Sequence, residues 1–275
     1  MSFLDISIDA KFVDAPIGQR MCINCEPKDE STRRGSVLIV PPFTEEMNKS
    51  RRMMSRLCRL LAERGFHAIL PDYYGTGDSS GNFVDASWEN WIEDLKLALD
   101  QCKQEGNQRL NIVALRGGAL LATAFIQKFE LELDKLVFWH PVTSGDMWLT
   151  QFLRLRIAAS MASGEEKKET VKELKELLNN GVPVEVAGYE VPPGLAKSLM
   201  SSKLEAGFPT LVGQIVWLDL VPNQEKTMTV MNKKLIEKFS NEMNIVSDVA
   251  VGPQFWSTTE IVEVDDLLQK TLSYF

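Results

Sequence analysis

The sequence predicts an α/β fold, with a mostly parallel central sheet, helices on both of its faces and one insertion. Short apolar runs typical of buried strands alternate with amphipathic segments of helical period, and the connections between them are short. The alternation breaks once, over residues 142–205. With 275 residues, 44% of them hydrophobic, the chain is long enough to bury one large core. These observations together favour a single domain, residues 1–275.

The regular alternation begins after a predicted N-terminal hairpin. Two short strands, IDAKFV and QRMCIN, form this hairpin around a turn that contains Pro16 and Gly18. The elements that come next are a strand at 36–42, a helix at 46–64, a strand at 67–72, a helix at 87–103, a strand at 111–115, a helix at 118–130 and a strand at 135–139. The strands are largely apolar, which is typical of strands buried on both faces of a parallel sheet.

The insertion over residues 142–205 contains no run typical of a buried strand. Its segment EEKKETVKELKELLNNG predicts an amphipathic helix that ends at Gly181, and the turn-rich stretch VPVEVAGYEVPPG follows. The parallel pattern then resumes with a strand at 211–220, a helix at 229–242, a strand at 244–251 and a helix at 265–274. An insertion between two core strands is where a lid would lie over a ligand cleft. The alternative is a solvent-exposed appendage.

Charge and composition exclude several classes of protein. The net charge of −8 and the pI of about 5.0 disfavour nucleic acid or an anionic membrane as partner. No apolar run approaches the roughly 18 residues of a membrane helix, and no signal-peptide pattern is visible at the start. The cysteines are scattered, and Cys22 and Cys25 lie in a predicted strand where they would face opposite sides. We therefore expect a cytoplasmic protein with reduced structural thiols, no metal site and no cofactor.

Polar residues follow the predicted strands at the edge where open parallel sheets bind ligands. They are Phe43, Thr44, Glu45 and Glu46 after the strand at 36–42, Asp72 after the next, then Arg116, His140 and, in the strand at 211–220, Asp219. We expect these groups to converge on one site. The alternative is that they mark no site, because most α/β folds carry polar groups at strand ends.

The most informative stretch is Ala114-Leu115-Arg116-Gly117-Gly118, at the end of an apolar strand and the start of a small-residue helix. A nucleophile elbow has the pattern G-x-S-x-G in this context, with the nucleophile exposed on a sharp turn. Arg116 stands at the nucleophile's position. Its guanidinium stays protonated at ordinary pH and is a poor nucleophile.

Several unusual stretches resemble the α/β-hydrolase superfamily. They are PPFTEEMNKSRRM (41–53), GFHAILPDYYGTGDSSG (65–81), NIVALRGGALLA (111–122), QFLRLRIA (151–158) and GPQFW (252–256). More narrowly, the chain is similar to the exosortase A system-associated hydrolases of the second type, which are found with bacterial exopolysaccharide and protein-sorting genes. The resemblance implies the α/β-hydrolase fold and an arginine at the elbow, as in those relatives, and it implies no known substrate.

The sequence also lacks the base that a serine hydrolase needs. In α/β hydrolases the order is nucleophile, acid, histidine, and neither histidine of this chain follows the last core strand. The loop there reads GPQFWSTTE, with Phe255 and Trp256 near the expected position. His67 opens a strand and is interpreted as structural. His140, at a strand end, is interpreted as either structural or functional.

Two hypotheses for Arg116 remain open at this stage. It binds an anionic ligand such as a carboxylate, a phosphate or a sugar acid, helped by backbone N–H groups of Gly117 and of Phe43–Thr44. Otherwise it is neutralised internally by Glu45, Glu46 or Asp72, because a buried arginine without a partner is very costly.

The predicted function is that of an accessory or anion-binding protein on a hydrolase scaffold. The alternative is an unconventional hydrolase of esters, thioesters or acyl sugars, in which Glu45, Glu46 or His140 activates water and Arg116 stabilises negative charge. A structural partner, including a homodimer, is a third hypothesis. Nearby, Arg51, Arg52 and Arg56 predict either a salt-bridge network with Glu45 and Glu46 or an anion-docking patch.

Overall fold

The computed structural model describes residues 4–102, 109–163, 169–207 and 211–275. The strands are β1 (Ile6–Asp14), β2 (Gln19–Pro27), β3 (Gly35–Val40), β4 (Phe66–Pro71), β5 (Arg109–Leu115), β6 (Leu133–Trp139), β7 (Val184–Val186), β8 (Tyr189–Val191), β9 (Val212–Val221) and β10 (Ile245–Val251). The helices are α1 (Thr44–Ala62), α2 (Trp88–Gln101), α3 (Gly118–Phe129), α4 (Gly145–Ser163), α5 (Val171–Asn179), α6 (Pro193–Ser201), α7 (Val230–Phe239) and α8 (Asp265–Leu272).

The central sheet has eight strands in the order β1-β2-β4-β3-β5-β6-β9-β10. β1 pairs antiparallel with β2, and β2 pairs antiparallel with β4, while the other neighbouring pairs are parallel. This is the α/β-hydrolase fold, as the sequence predicts. Because β3, β5, β6 and β9 are adjacent and parallel, their carboxyl ends meet at one edge.

Helices cover both faces of the sheet because successive residues of a strand point to opposite sides. Val37 and Ile39 of β3 pack into a cluster with α1 and α8, whereas Leu38 and Val40 pack into a second cluster with α2 and α3. All four side chains are essentially inaccessible to solvent. The apolar strands predicted from sequence are therefore buried on both faces.

The insertion is more structured than the sequence predicts. The expected amphipathic helix is present as α5, and Gly181 follows it with a φ of +83°. However, the turn-rich stretch that follows forms the hairpin β7–β8, and Val184 and Val191 of that hairpin are buried. Strands of three residues are too short to show an alternating pattern. α4 was also not predicted, because its apolar side chains are spread around much of the helix rather than along one stripe.

The N-terminal hairpin is joined to the body of the fold by a buried ion pair. Arg20 Nε donates to Asp94 Oδ1 at 2.5 Å, and both side chains are at most 5% exposed. Asp94 Oδ2 accepts the backbone N–H of Tyr74 at 2.6 Å, so both carboxylate oxygens are engaged. Burial raises the pKa of Asp94, although Arg20 opposes this effect.

No helix in the described ranges has both the length and the apolar character needed to cross a bilayer.

We predict that Arg20→Met lowers the free energy of unfolding by about 3–5 kcal/mol, because it leaves a buried carboxylate without its cation. Urea denaturation followed by circular dichroism measures this loss. The matched control is Lys28→Met, since the Lys28–Asp5 pair of the same hairpin is largely exposed. That variant is expected to unfold at nearly the same urea concentration as the wild type, because exposed ion pairs contribute little. Equal losses in the two variants would contradict the prediction.

Candidate functional site

The turn between β5 and α3 holds Arg116 in a strained backbone conformation. Its φ is +53°, in the left-handed region that residues other than glycine rarely adopt. The Arg116 N–H donates to the carbonyl of Trp139 at 3.0 Å, and the Arg116 carbonyl accepts the N–H of Val142 at 3.1 Å. These bonds to β6 and to the residues after it hold the turn in place. The geometry is that of an elbow which projects one side chain over the sheet edge.

The glycines after Arg116 allow the helix to approach the loop that follows β3. A Cβ at Gly117 would lie 2.7 Å from the ring of Phe43, and one at Gly118 would lie 2.5 Å from the carbonyl oxygen of Val40. Larger residues would therefore push α3 away from this loop. In the described residues, the N–H groups of Gly117 and Thr44 donate no hydrogen bond. Both amides are thus without an acceptor in the described residues beside Arg116.

Arg116 is neutralised by Glu46, which lies in the first turn of α1. Its Nε and Nη2 both donate to Glu46 Oε1, at 3.3 and 3.1 Å, and Glu46 Oε2 accepts from Trp148 Nε1 at 3.4 Å. The Arg116 side chain is 13% exposed. Its guanidinium also lies 5.0 Å from the ring centre of Trp256, a cation–π contact. Both Nη1 hydrogens and one Nη2 hydrogen remain outside these bonds.

Two cavities meet at Arg116. The first, which we call the acidic cavity, has a volume of about 300 Å³ and is lined by Thr44, Glu45, Glu46, Lys49, Arg116, Trp148, Gln151, Phe152, Leu155, Gln254, Trp256 and Ser257. The second has a volume of about 230 Å³ and is lined by Arg116, His140, Pro141, Val142, Thr143, Ser144, Met147, Trp148, Gln151, Thr229, Met231 and Asn232. We call it the acid-free cavity, because no described lining residue is an aspartate or glutamate.

The hydrogen bond at Nδ1 fixes the tautomer of His140. Nδ1 accepts the backbone N–H of Leu220 at 3.0 Å, so the proton of the neutral ring is on Nε2. The pKa of His140 is lowered to about 4, mainly by burial; Asp219 opposes this effect, and the positive charge of Arg116 adds to it. At neutral pH the ring is therefore uncharged, and its free polar group is a hydrogen-bond donor.

Two residues predicted to join the site, Asp219 and Asp72, are buried and hydrogen-bonded, although Asp219 Oδ1 lies only 3.6 Å from His140 Nδ1. Asp219 is 1% exposed and accepts from Trp217 Nε1 at 3.0 Å and from Asn232 Nδ2 at 2.8 Å. Asp72 is 2% exposed and accepts from Arg51 at 2.6 Å. Neither carboxylate lines either cavity at Arg116. The structure brings together Thr44, Glu45, Glu46, Arg116 and His140, with Phe43 and Gly117 packed behind them.

Backbone strain is concentrated around this site. Thr44, Arg116 and His140 all have positive φ values, of +55°, +53° and +43°. A β-branched residue such as Thr44 is especially unfavourable there. Strain of this kind costs about 1–3 kcal/mol per residue and tends to occur at functional sites.

The arginines of α1 form ion pairs, but not with the predicted partners. Arg51 pairs with Asp72, and Arg52 and Arg56 pair with Glu263. The predicted salt-bridge network is thus present, but Glu45 and Glu46 are not its acids, because they lie on the cavity side of the first turn of α1. The pairs with Glu263 hold the segment between β10 and α8 against α1.

In the described residues, no group of three or more His, Cys, Asp or Glu side chains is close enough to hold a metal ion.

A protein-family model decides the family. The model for serine aminopeptidase, S33, matches residues 31–175, which span β3 to α5 and include the elbow. The chain belongs to the S33 family of α/β hydrolases. No curated protein sequence matches it.

Solved structures support the same fold for this S33-family chain. Est1E from Butyrivibrio proteoclasticus, solved with ferulic acid bound, has a TM-score of 0.65 at 11% identity and covers 96% of this chain and 97% of its own. A thermostable carboxyl esterase from Bacillus coagulans, in complex with glycerol, has a TM-score of 0.65 at 12% identity, covering 98% and 97%. Alpha/beta hydrolase domain-containing protein 10 from mouse has a TM-score of 0.59 at 13% identity, covering 97% and 98%. At these identities the likeness shows the fold alone.

Sequence reasoning about this S33-family chain missed the residues that α4 contributes. Trp148 and Gln151 line both cavities, and Trp148 also bonds to Glu46. The signal available in the sequence was the quoted stretch QFLRLRIA, which lies in α4. The contact of Trp256 with Arg116 was not predicted either, although Trp256 was noted near the position of a missing histidine.

We predict that the free energy of unfolding rises with pH between about 4 and 6.5, partly because of His140. The unfolded histidine binds a proton below its ordinary pKa of about 6.5, whereas the folded one stays neutral down to about 4. The difference in pKa corresponds to about 3 kcal/mol. In His140→Asn, whose amide oxygen can accept the Leu220 N–H, chemical denaturation at several pH values should show a shallower rise.

A second variant, His67→Asn, tests the same effect at another buried histidine. Burial lowers the pKa of His67 to about 4 as well, and it lies away from both cavities. Each single variant should remove part of the pH dependence, and the double variant more. An unchanged slope in His140→Asn would contradict the lowered pKa of His140.

Proposed function

We propose that this S33-family protein binds a small anionic ligand at Arg116 and does not use serine-triad catalysis. The observation that carries the proposal is the guanidinium on the elbow, between two cavities, with its Nη1 hydrogens unengaged by Glu46. A guanidinium forms strong paired hydrogen bonds with carboxylate or phosphate oxygens. Its position at the sheet edge is the one at which open α/β sheets bind ligands.

The neighbours of Arg116 support the absence of triad chemistry. A triad needs a histidine with a free Nε2 lone pair next to the nucleophile. His140 carries its proton on Nε2, because Nδ1 accepts from Leu220. The segment after β10 contributes Trp256, which lies over the guanidinium and 5.0 Å from the His140 ring. Nucleophile and base are thus both replaced by groups that cannot perform those steps.

The acid-free cavity is the better place for an anion. Glu46 already binds the guanidinium edge on the other side, and Glu45 adds a second carboxylate there. In the acid-free cavity, an anion would accept from Arg116 Nη1 and from the Nε2–H of His140, and no carboxylate of a described residue is part of the lining. The buried Asp219 lies behind His140, 3.6 Å from its Nδ1. Charge-assisted bonds of this kind are roughly twice as strong as neutral ones.

The insertion over residues 142–205 acts as the lid of this site in our proposal. Its helix α4 contributes Trp148, Gln151, Phe152 and Leu155 to the walls of the acidic cavity. The narrower resemblance to exosortase A system-associated hydrolases favours an accessory role in a bacterial exopolysaccharide or sorting pathway, in the cytoplasm.

We predict that acetate, butyrate and inorganic phosphate raise the melting temperature of the wild-type protein in a concentration-dependent manner. Arg116→Met should weaken this effect at least about tenfold in apparent Kd, because it removes a charge-assisted pair worth about 1.5–3 kcal/mol. Differential scanning fluorimetry and calorimetry measure it. Arg59→Met is the matched control: Arg59 is exposed, and no described carboxylate lies within ion-pair distance of it. If Arg116→Met binds these anions with the same affinity as the wild type, the proposal is wrong.

A second prediction concerns reactivity. Wild-type protein and Arg116→Ser should both resist labelling by a fluorophosphonate probe and should both fail to hydrolyse p-nitrophenyl acetate above background. Placing a hydroxyl at the elbow does not create a base, since His140 Nε2 is protonated. The measurements are mass spectrometry of the intact protein and a spectrophotometric assay. Rapid labelling of Arg116→Ser would show that a base is present after all.

The second candidate function is an unconventional hydrolase of esters, thioesters or acyl sugars. The observation in its favour is that Glu45 and Glu46 both line the cavity at Arg116, where either carboxylate could activate water. Its signature would be ester turnover that is lost in Glu46→Gln and retained in Glu63→Gln, a substitution at the far end of α1. Turnover with this pattern would replace the binding proposal with the hydrolase.

A further inference from the structure

We propose that the ligand is a linear molecule with two anionic groups joined by an apolar chain, and that a lysine-lined cavity holds its second anionic group. This inference rests on the proposed function, because the first anionic group is the one at Arg116. The observation behind it is a third cavity, of about 360 Å³, that adjoins the acid-free cavity. The two cavities share Thr143, Ser144, Met147 and Met231 as lining residues.

Three ammonium groups line this lysine cavity. Lys234 and Lys238 are four residues apart on α7, so they lie on the same face of the helix. Lys203 faces them from the segment after α6. That segment is held in place, since the N–H of Leu204 donates to the carbonyl of Thr143 at 3.0 Å, and Ser144 and Lys203 form a β-bridge.

The lysine cavity carries an excess of positive charge. Glu205 pairs with Lys238, which together with Lys203 lowers the pKa of Glu205. In the described part of the chain, no carboxylate lies within ion-pair distance of Lys203 or Lys234. On a protein with a net charge of −8, such a local excess of ammonium groups favours an anionic ligand group.

Two methionines separate the lysines from Arg116. Met147 of α4 is 48% exposed and Met231 of α7 is 50% exposed, and both line the shared wall. Flexible thioether side chains adapt to apolar ligand segments. The order along the connected cavities is therefore guanidinium with His140 Nε2–H, then thioethers, then ammonium groups. An anionic group, an apolar chain and a second anionic group match that order.

The experiment compares monocarboxylates with α,ω-dicarboxylates of four to ten carbons on the full-length protein, by calorimetry at constant ionic strength. For at least one chain length the dicarboxylate should bind the wild type about fivefold more tightly than the monocarboxylate, as expected from one or two exposed ion pairs. Lys203→Met/Lys234→Met should abolish this preference without changing the affinity for monocarboxylates. Lys11→Met/Lys28→Met removes the same charge from the N-terminal hairpin and should retain the preference.

The outcomes separate this inference from the proposed function. If monocarboxylates bind in an Arg116-dependent way but dicarboxylates bind no more tightly at any length, the lysine cavity has no such role and the Arg116 site stands. A preference that persists in Lys203→Met/Lys234→Met also overturns the inference. If neither class of ligand binds, or if Arg116→Met binds both as the wild type does, the proposed function itself fails. Circular dichroism of each variant confirms that it is folded before binding is measured.

Discussion

The site depends on the ion pair between Arg116 and Glu46. A guanidinium that is only 13% exposed needs a partner, because a buried charge without one is destabilising by several kcal/mol. Glu46 supplies it from the first turn of α1, and Trp148 bonds to the second oxygen of the same carboxylate. The pair therefore connects the elbow, the loop after β3 and the insertion. Because Glu46 accepts hydrogen bonds from Nε and Nη2, the Nη1 hydrogens of Arg116 are not engaged by this carboxylate.

Two tryptophans complete the environment of the guanidinium. Trp256 covers it from the segment after β10, and the ion pairs of Arg52 and Arg56 with Glu263 hold that segment against α1. Trp148 approaches from α4. Removing water from around the guanidinium in this way strengthens each electrostatic interaction that it makes. The same segment also brings Trp256 to 5.0 Å from the ring of His140.

Most of the fold followed from the sequence, because it is set by local patterns. The apolar strands β3 to β6, β9 and β10 and their helices lie within a few residues of the predicted positions, and the N-terminal hairpin is present. The insertion was predicted less well. Its hairpin β7–β8 is stabilised by packing under α4 and α5 rather than by its own alternation, and α4 itself has no narrow apolar stripe. Elements whose stability comes from tertiary contacts leave weak local signals.

The sequence by itself determined that a permanently charged residue stands at the elbow, since the strand, the glycines and the small-residue helix around Arg116 specify the turn locally. The sequence also limited the candidate ion-pair partners of Arg116 to Glu45, Glu46 and Asp72. Only the tertiary structure decided among them. Asp72 is bound by Arg51, and Glu46 reaches the guanidinium because it lies on the side of α1's first turn that faces the elbow. The tautomer of His140 was likewise fixed by a backbone N–H from β9, a contact between strands distant in sequence that no local pattern contains.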